Sequence, residues 1–460
     1  MAAKQPYRPD PAILSLGEAF YDPVKPADFP KTIVRFTNDR WAERVGLVGV
    51  DWVKHFARFE PLPDNLPQPL ALRYHGHQFR HYNADLGDGR GFTFAQLRDD
   101  RGRLLDLGTK GSGLTPWSRR GDGRLTLKGG VREVLATEML EALGVNTSKS
   151  FALIETGEEL IRGDEPSPTR SAVLTRLSHG HIRIGMFQRL AYFEDTSNLA
   201  KLTRYVLEKL YGEAPVDDDA ANAAHLLDLV CDRTAQLAAS YVASGFVHGV
   251  LNSDNINITG ERFDYGPWRF APEWDEGLIA AYFDDYGLYA FGRQPEAIHW
   301  DVAQLGGCLA MIGDAPTLSD LLASWPGRFE QQLIKLLVWR LGVEPLGEAE
   351  DRALVSAILT ALRSRIVGID RFFFDWRGGR IPSDPIYDDE PFAQLRSALD
   401  GRAVPLSHPY WTDPAPCSML IDEVEAIWSA IADRDDWQPF YTKIETIRRF
   451  GDAMTSDAKG

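Results

Sequence analysis

This sequence has little or none of what three classes of protein require. Its 460 residues include only 3 cysteines, which show no metal-ligand spacing: Cys231, Cys308 and Cys417. Three thiols cannot all pair, so we expect a reducing compartment and not a disulfide-bonded secreted domain. No apolar run approaches the length of a membrane span, and the first ten residues lack the apolar core of a signal peptide. We therefore predict a cytoplasmic protein with no membrane association.

Net positive charge is also missing. Lys and Arg total 50 against 66 Asp and Glu, which gives a formal net charge of −16. A generally acidic surface argues against nucleic acid as the main partner. With 44% hydrophobic residues, the composition is that of an ordinary globular protein, and the length allows two or three lobes with a sizeable core. Nothing in the composition predicts the oligomeric state.

The most informative stretch is residues 248–266, which follows a helix predicted over residues 221–244. It places Asp254, Asn255 and Asp264 close together in the chain. Each of these residue types is common in turns, where its side chain bonds to the local backbone. The three together, behind a His-Gly pair and a long amphipathic helix, favour a functional site over a plain turn.

A short hairpin over residues 256–263 is predicted to bring Asn255 and Asp264 side by side at its open end. Two oxygen ligands suit Mg²⁺, which takes few protein oxygens and adds substrate phosphates. Asp254 is then free to accept a proton. The pattern is typical of a kinase catalytic loop followed by its metal-binding Asp, but Val250 stands where kinases place their catalytic Asp.

The first half of the chain carries candidates for phosphate binding. The Gly-Asp-Gly turn of residues 87–89, followed by Arg90, lies between predicted strands and exposes backbone N–H groups. Lys110 ends the next strand, where a kinase places its phosphate-binding lysine. Glu133, early in the following predicted helix, is a better candidate than Glu138 for holding that lysine in place. A hairpin turn, a surface lysine and an exposed helix acid are the structural alternatives.

A basic segment follows Lys110. Its cations, against the single acid Asp122, are Lys110, Arg119, Arg120, Arg124, Lys128 and Arg132. So small a basic segment in an acidic chain favours the phosphates of a nucleotide, and a balanced surface patch is the alternative. Further on, Arg176 and Arg183 have side chains able to grip a phosphate through forked hydrogen bonds, unless they are an ordinary surface pair.

These motifs together resemble the selenoprotein O family, the pseudokinase-fold protein adenylyltransferases that are YdiU-type in bacteria. The matching stretches are residues 75–79, 86–90, 110–113, 118–124, 131–133, 178–183, 248–255, 264–267 and 294–300. They are collinear over roughly residues 14–305. Residues beyond about 310 are expected to match the family poorly.

The resemblance implies an α+β, protein-kinase-like, two-lobed fold that binds ATP in a flipped orientation. It divides the chain into an N-terminal extension (1–70), a kinase-like N-lobe (71–180), a mainly helical C-lobe (181–370) and a C-terminal helical extension (371–460). The implied activity is transfer of AMP from ATP to Ser, Thr or Tyr hydroxyls of proteins, with release of pyrophosphate.

The resemblance also implies a role for individual residues. The nucleotide-binding positions are Gly87, Gly89, Arg90, Lys110, Asp122, Gly123, Arg176, Arg183 and Asp264. Asp254 falls on the proton acceptor, and Glu133 falls on the partner of the lysine. Asn255 and Asp264 fall on the Mg²⁺ ligands. Whether Mn²⁺ replaces Mg²⁺, or UTP replaces ATP, is left open.

One further departure and two rival functions accompany this resemblance. Many family members carry a Cys or selenocysteine near the C-terminus, and this chain ends Met-Thr-Ser-Asp-Ala-Lys-Gly. Redox control and target choice are therefore open. The rivals are a γ-phosphoryl kinase and a catalytically inactive nucleotide-binding regulator. Val250 favours the regulator, whereas the intact Asp254, Asn255 and Asp264 argue against it.

Overall fold

The structure is a computed structural model that describes residues 5–163 and 165–456. The fold is mixed α+β, as predicted. Its strands are β1 (Tyr21–Pro23), β2 (Ile33–Thr37), β3 (Leu70–Leu72), β4 (Gly76–Gln78), β5 (His81–Asn83), β6 (Thr93–Arg98), β7 (Leu104–Lys110), β8 (Leu125–Thr126), β9 (Lys149–Leu160), β10 (Thr169–Ser178), β11 (Phe246–His248) and β12 (Trp268–Phe270). Its α-helices are α1 (Asp39–Arg44), α2 (Trp52–Phe56), α3 (Leu127–Ala142), α4 (Ile184–Tyr192), α5 (Thr196–Tyr205), α6 (Asp219–Ser244), α7 (Gln294–Leu309), α8 (Ala315–Leu341), α9 (Glu348–Arg363), α10 (Ile369–Asp375), α11 (Ala393–Ala398), α12 (Ile421–Arg434) and α13 (Gln438–Ser456).

One eight-stranded sheet positions two of the predicted phosphate-binding cations. Its strand order is β1-β3-β6-β7-β10-β9-β2, and β8 pairs with β10. In the antiparallel pairing of β7 with β10, Lys110 lies opposite Leu174 and Gly108 lies opposite Arg176. Side chains two residues apart on a strand share a face, so this register puts Lys110 and Arg176 on the same face of the sheet as diagonal neighbours.

The first 70 residues supply both outer strands of this sheet. The strand β1 pairs with β3, and β2 pairs with β9. The segment is thus built into the sheet over part of its length. The division of the chain into two extensions and two lobes stays a prediction.

Helices α3 and α6 form where their polar caps and buried apolar residues predict them. The Thr126 hydroxyl accepts a hydrogen bond from the Gly129 N–H at the start of α3. The Asp218 carboxylate caps α6 in the same way, and Gly245 ends it with a left-handed φ of 70°. The chain then enters β11 and the 248–266 stretch, so α6 sets where that stretch begins.

The C-terminal part is helical from α7 onward. Residues 318–368, which the sequence predicts to be helical, fall mostly in α8 and α9, which the non-helical residues 342–347 separate. The prediction that the last ten residues are loose is wrong for residues 451–456, which continue α13, while 457–460 lie outside the described residues. The largest buried apolar cluster includes residues from Ile13 to Met454, so N-terminal and C-terminal elements share one core.

Cys231, Cys308 and Cys417 are all buried, and none forms a disulfide. Over residues 5–163 and 165–456, no helix combines the length and the apolar character needed to cross a bilayer.

Candidate active site

A cleft of about 1040 Å³ opens where the sheet meets the 248–266 stretch. Eight of its lining residues are Arg or Lys and four are Asp: Arg90, Lys110, Arg119, Arg120, Arg124, Arg162, Arg176, Arg183, Asp88, Asp122, Asp254 and Asp264. The cleft is therefore cationic in a chain whose net charge is −16. Low-dielectric walls concentrate such a field on an anionic ligand.

A buried charge cluster forms the inner wall. The Lys110 ammonium, at the end of β7, donates to Glu133 of α3 and to Asp264. Arg176 Nη1 lies 3.7 Å from Glu133 Oε2 and 3.7 Å from Asp264 Oδ1. Glu138, in contrast, pairs with Arg448. Glu133, and not Glu138, therefore contacts Lys110, and its role in holding that lysine for catalysis stays a prediction.

Asp264 is held ionised. Burial alone would raise the pKa of its carboxyl, but Lys110, Arg176 and Arg90 outweigh that effect and hold the pKa well below its usual range. The residue has a φ of 68°, in the left-handed region that side chains other than Gly seldom adopt. A conformation of this kind at a charged residue facing a cleft is typical of functional sites.

Asp254 has the opposite electrostatic environment. It lies in a 3-10 turn over Ser253–Asn255 and is only 6% exposed. Burial raises the pKa of its carboxyl to about 6, against the opposing effect of Arg183. Its Oδ1 has no hydrogen-bond partner among the described residues. The result is a carboxylate poised to take a proton near neutral pH.

The hairpin predicted over residues 256–263 is wrong. The chain does turn there, with the Gly260 N–H donating to the Asn257 carbonyl. Its two arms, however, pair with other segments: Asn257 forms a bridge with Arg183, and Arg262 forms a bridge with Thr147. Both Asn255 and Asp264 nevertheless line the same cleft, because each arm is held by its own neighbour.

Arg262 is a residue that the sequence reasoning missed. Its side chain is fully buried and donates to the carbonyls of Asn255 and Val250. It also contacts the ring of His248. One guanidinium thus fixes both ends of the loop that carries Asp254. No local signal separates such an arginine from a solvated one in the sequence.

Asp88 was also missed, although it lies inside the Gly-Asp-Gly turn. One of its oxygens accepts from Arg183 Nη1 at 2.8 Å, and the other accepts from the Leu72 N–H at 3.0 Å. The Arg183 guanidinium also lies over the Tyr74 ring, 4.3 Å from its centroid. The acid in the turn therefore orients an arginine. Its position between two glycines was the signal in the sequence that could have identified it.

The Gly-Asp-Gly turn and the basic segment meet at the mouth of the cleft. A Cβ on Gly87 would lie 2.3 Å from the Trp117 ring, so only glycine fits there. Arg162 holds Asp122 by two hydrogen bonds, of 2.8 and 3.1 Å. Gly123 lines the cleft beside them. The backbone thus stays close to the space that a ligand would fill.

Two cations of the basic segment lie away from the cleft. Lys128 and Arg132 form ion pairs with Glu425 of α12 and do not line the cleft. Arg124 lines the cleft and also pairs with Glu158. The alternative of a balanced surface patch is therefore right for two of the six cations.

The donor set fits a nucleotide with a divalent ion. Around the cleft, buried polar atoms without a hydrogen-bond partner in the described residues are Arg176 Nε and Nη1, Arg183 Nε, Glu133 Oε2 and Asp254 Oδ1. Buried polar groups are ordinarily paired, so these atoms suit a polar ligand. No three His, Cys, Asp or Glu side chains of the described chain are grouped to hold a metal. Asn255 and Asp264 suit an ion that takes its remaining ligands from phosphate and water.

The structure brings the predicted site residues together. Gly87, Gly89, Arg90, Lys110, Asp122, Gly123, Arg176, Arg183, Asp254, Asn255 and Asp264 line the cleft. Glu133 stands behind it as the partner of Lys110. Their roles in binding and catalysis stay predictions.

Comparison with known proteins shows which family the sequence matches. The family model described as protein adenylyltransferase SelO matches residues 5–383. The protein nucleotidyltransferase YdiU of Synechocystis sp. is 41% identical over 470 residues, which cover 95% of this chain and 97% of that protein. The protein of the same name from Gloeobacter violaceus is 42% identical over 463 residues, covering 96% of this chain and 95% of its own. That from Vibrio cholerae is 34% identical over 383 residues, covering 82% and 77%. The expectation of a poor match to the family beyond residue 310 is wrong as far as residue 383, where the match to the family model ends, and two of these alignments cover at least 95% of the chain.

Proposed function

Because this chain belongs to the protein adenylyltransferase SelO family, we propose that it transfers AMP from ATP to hydroxyl side chains of proteins and releases pyrophosphate. The observation that carries the proposal is the pairing of two unlike carboxylates in one cationic cleft. Asp264 is held ionised beside Lys110, and Asp254 has a pKa raised to about 6 and a bare oxygen. Such a pair separates ligand binding from proton transfer.

In this proposal the cations bind the phosphates of ATP. Lys110, Arg176 and Arg183 are buried and lie on the inner wall, where they would take the end of the triphosphate. The backbone at Gly87 and Gly89, with Arg90, would also approach the phosphates. Asp122 and Gly123 lie at the mouth and would contact the rest of the nucleotide. Forked arginine contacts orient a phosphate as well as neutralise it.

The transfer step is an in-line substitution at the α-phosphorus. The hydroxyl oxygen of the acceptor bonds to the α-phosphorus, and the bond from that phosphorus to the β-bridging oxygen breaks. Pyrophosphate leaves with that electron pair, and Asp254 takes the hydroxyl proton. Positioning of the reactants and electrostatic stabilisation of the transition state supply most of the rate acceleration in such transfers.

Asn255 and Asp264 are the residues that would hold Mg²⁺. A bound divalent ion offsets the negative charge that grows on the phosphate oxygens during transfer. Lys110 lies beside Asp264 and would share that task, while Glu133 keeps the ammonium in place. Removing the Asp264 carboxylate should therefore nearly abolish turnover.

ATP labelled separately at the α and the γ phosphorus tests the proposal. Purified protein is incubated with Mg²⁺, each labelled ATP and a cell extract, and protein-bound label is counted. We expect label from the α position only, a mass gain of one AMP unit on the modified protein, and almost no label with Asp264→Ala.

Other outcomes identify the rivals. Label from the γ position alone would make the protein a kinase. Nucleotide binding without any transfer would make it a regulator. Full activity in Asp264→Ala would refute the assignment of the metal ligands.

A further inference from the structure

The hairpin β4–β5 has no role in the function proposed above, although residues 75–79 are one of the stretches on which the resemblance to the family rests. The hairpin packs on the turn that carries Asp254. A Cβ on Gly76 would lie 2.7 Å from the Asp254 Cβ, so glycine lets the hairpin backbone rest against that residue. The Phe79 N–H donates to the Asn252 carboxamide at 3.0 Å, just before the turn.

Three residues close a ring of hydrogen bonds at this contact. The backbone N–H of His77 donates to Ser253 Oγ at 2.8 Å, and Ser253 Oγ donates to Gln188 Oε1 at 2.6 Å. Gln188 Nε2 in turn donates to His77 Nδ1 at 2.6 Å. The ring joins the hairpin, helix α4 and the residue next to Asp254. It also assigns His77 the neutral form with its proton on Nε2.

Asp254 itself lacks such support. Its Oδ1 has no hydrogen-bond partner in the described part of the chain, as a proton acceptor requires. Its orientation must therefore come from its backbone and its packing. The ring fixes the backbone on one side through Ser253, and Gly76 bounds the side chain on another.

We propose that Gln188, through the ring it closes with Ser253 and His77, is a positioning residue that holds Asp254 in line with the acceptor hydroxyl. The inference rests on the proposed function, because it gives Asp254 the role of proton acceptor. Gln188 is not among the residues that line the cleft and is only 4% exposed on α4. It acts by removing the freedom of the 252–255 turn, since a displacement of about 1 Å at a catalytic group lowers a rate by about 100-fold.

The variants Gln188→Leu, Ser253→Ala and their combination test the ring. Turnover is measured with ATP labelled at the α-phosphorus, Mg²⁺ and dephosphorylated casein as the hydroxyl acceptor. Hydrogen exchange is measured for a peptide spanning residues 250–258. Each single variant should lower kcat by about 10- to 100-fold and leave the KM for ATP within about twofold. The double variant should be no slower than the slower single variant, because the residues act as one unit.

Gln96→Leu is the matched control. Gln96 is 1% exposed and donates to Asp106 inside the sheet, away from the ring. It should lower the Tm without changing kcat or the exchange of residues 250–258. In the ring variants, that exchange should rise at least about tenfold.

Hydrogen exchange of residues 250–258 tests the role of the ring even if no label reaches casein. A wrong inference about the ring can therefore be told apart from a wrong proposed function. Unchanged exchange of residues 250–258 in Gln188→Leu would overturn the ring. So would a loss that appears in KM alone, or single-variant losses that multiply in the double variant.

Discussion

Asp254 and Asp264 lie in one cleft, yet their pKa values move in opposite directions. Burial dominates at Asp254 and raises its pKa to about 6. At Asp264, Lys110 and the nearby arginines outweigh burial and lower the pKa. Environments that separate two titratable groups in this way assign one to proton transfer and the other to charge stabilisation.

For this single residue, Asp254→Asn should lower kcat for AMP transfer by about 100- to 10,000-fold, because the amide cannot take the hydroxyl proton. Its Kd for ATP, measured by calorimetry, should stay close to that of the wild type. Loss of nucleotide binding along with activity would instead give Asp254 a role in holding ATP.

The pH dependence of the wild type offers a second check on this residue. The base must be ionised, so kcat/KM should rise with pH through an acid limb centred near pH 6, the raised pKa of Asp254. A limb centred near pH 4 would contradict the environment assigned to this carboxyl.

Among the elements, helix α3 carries two buried acids with separate tasks. Glu133 contacts Lys110 inside the cleft wall, whereas Glu138 pairs with Arg40 and Arg448 on the other side of the helix. The two positions are five residues apart, which turns them to different faces of a helix of 3.6 residues per turn. The same element therefore serves the site and the attachment of α13.

These two acids make a matched pair of variants. Glu133→Gln weakens the hold on Lys110 and should raise the KM for ATP by about tenfold, or about 1.4 kcal/mol. Glu138→Gln should lower the free energy of unfolding by about 1–3 kcal/mol and leave that KM unchanged. Steady-state kinetics and urea unfolding measure the two effects, and an equal effect of both variants on KM would refute the separation.

The 257–262 turn also contains a buried carboxyl, that of Glu261. Burial raises the pKa of the Glu261 carboxyl from 4.5 to about 7. Lys149 and the hydrogen bond donated by the His179 N–H oppose this rise. The folded protein thus keeps the proton to higher pH than the unfolded chain does. The stabilisation is fully present below about pH 4.5 and is lost as pH rises through 7.

Glu261→Gln should remove this dependence, because the amide oxygen still accepts from His179 without ionising. At pH 8 the variant should be more stable than the wild type by about 1–3 kcal/mol, and the difference should shrink towards pH 5. Urea unfolding at the two pH values measures it. Equal stability of the two proteins at pH 8 would show that the wild-type carboxylate ionises there at no cost.

At the scale of the whole molecule, the last helix belongs to the central core. Phe440, Ile444 and Ile447 of α13 are buried in the cluster that also contains α3 residues. Ion pairs of Arg448 with Glu138 and of Lys128 with Glu425 reinforce the attachment of α13 and α12. The C-terminal helices therefore stabilise the helix that carries Glu133.

Ile447→Ala should lower the free energy of unfolding by about 2–5 kcal/mol, because the side chain is fully buried and its loss leaves a cavity. Glu445→Ala, on the exposed face of the same helix, should change it by less than about 0.5 kcal/mol. Urea unfolding followed by fluorescence measures both. A small effect of Ile447→Ala would mean that α13 is not part of the core.

The sequence by itself indicated several of the elements and the residues that line the cleft, whose roles stay predictions. The spacing of apolar residues predicted the helices found as α3 and α6, because local periodicity and end signals fix such segments before any packing. The site residues were found because their motifs carry chemistry in their residue types. The family followed from the same residues.

Only the tertiary structure decided which neighbours each of those segments meets. The arms around Gly260 form single bridges to other segments and not a hairpin with each other, and Lys128 and Arg132 face Glu425 instead of the cleft. Arg262 and Gln188 act through partners 7 to 111 residues away in the chain. Such contacts depend on how distant segments pack, and the order of residues along one segment contains no record of that packing.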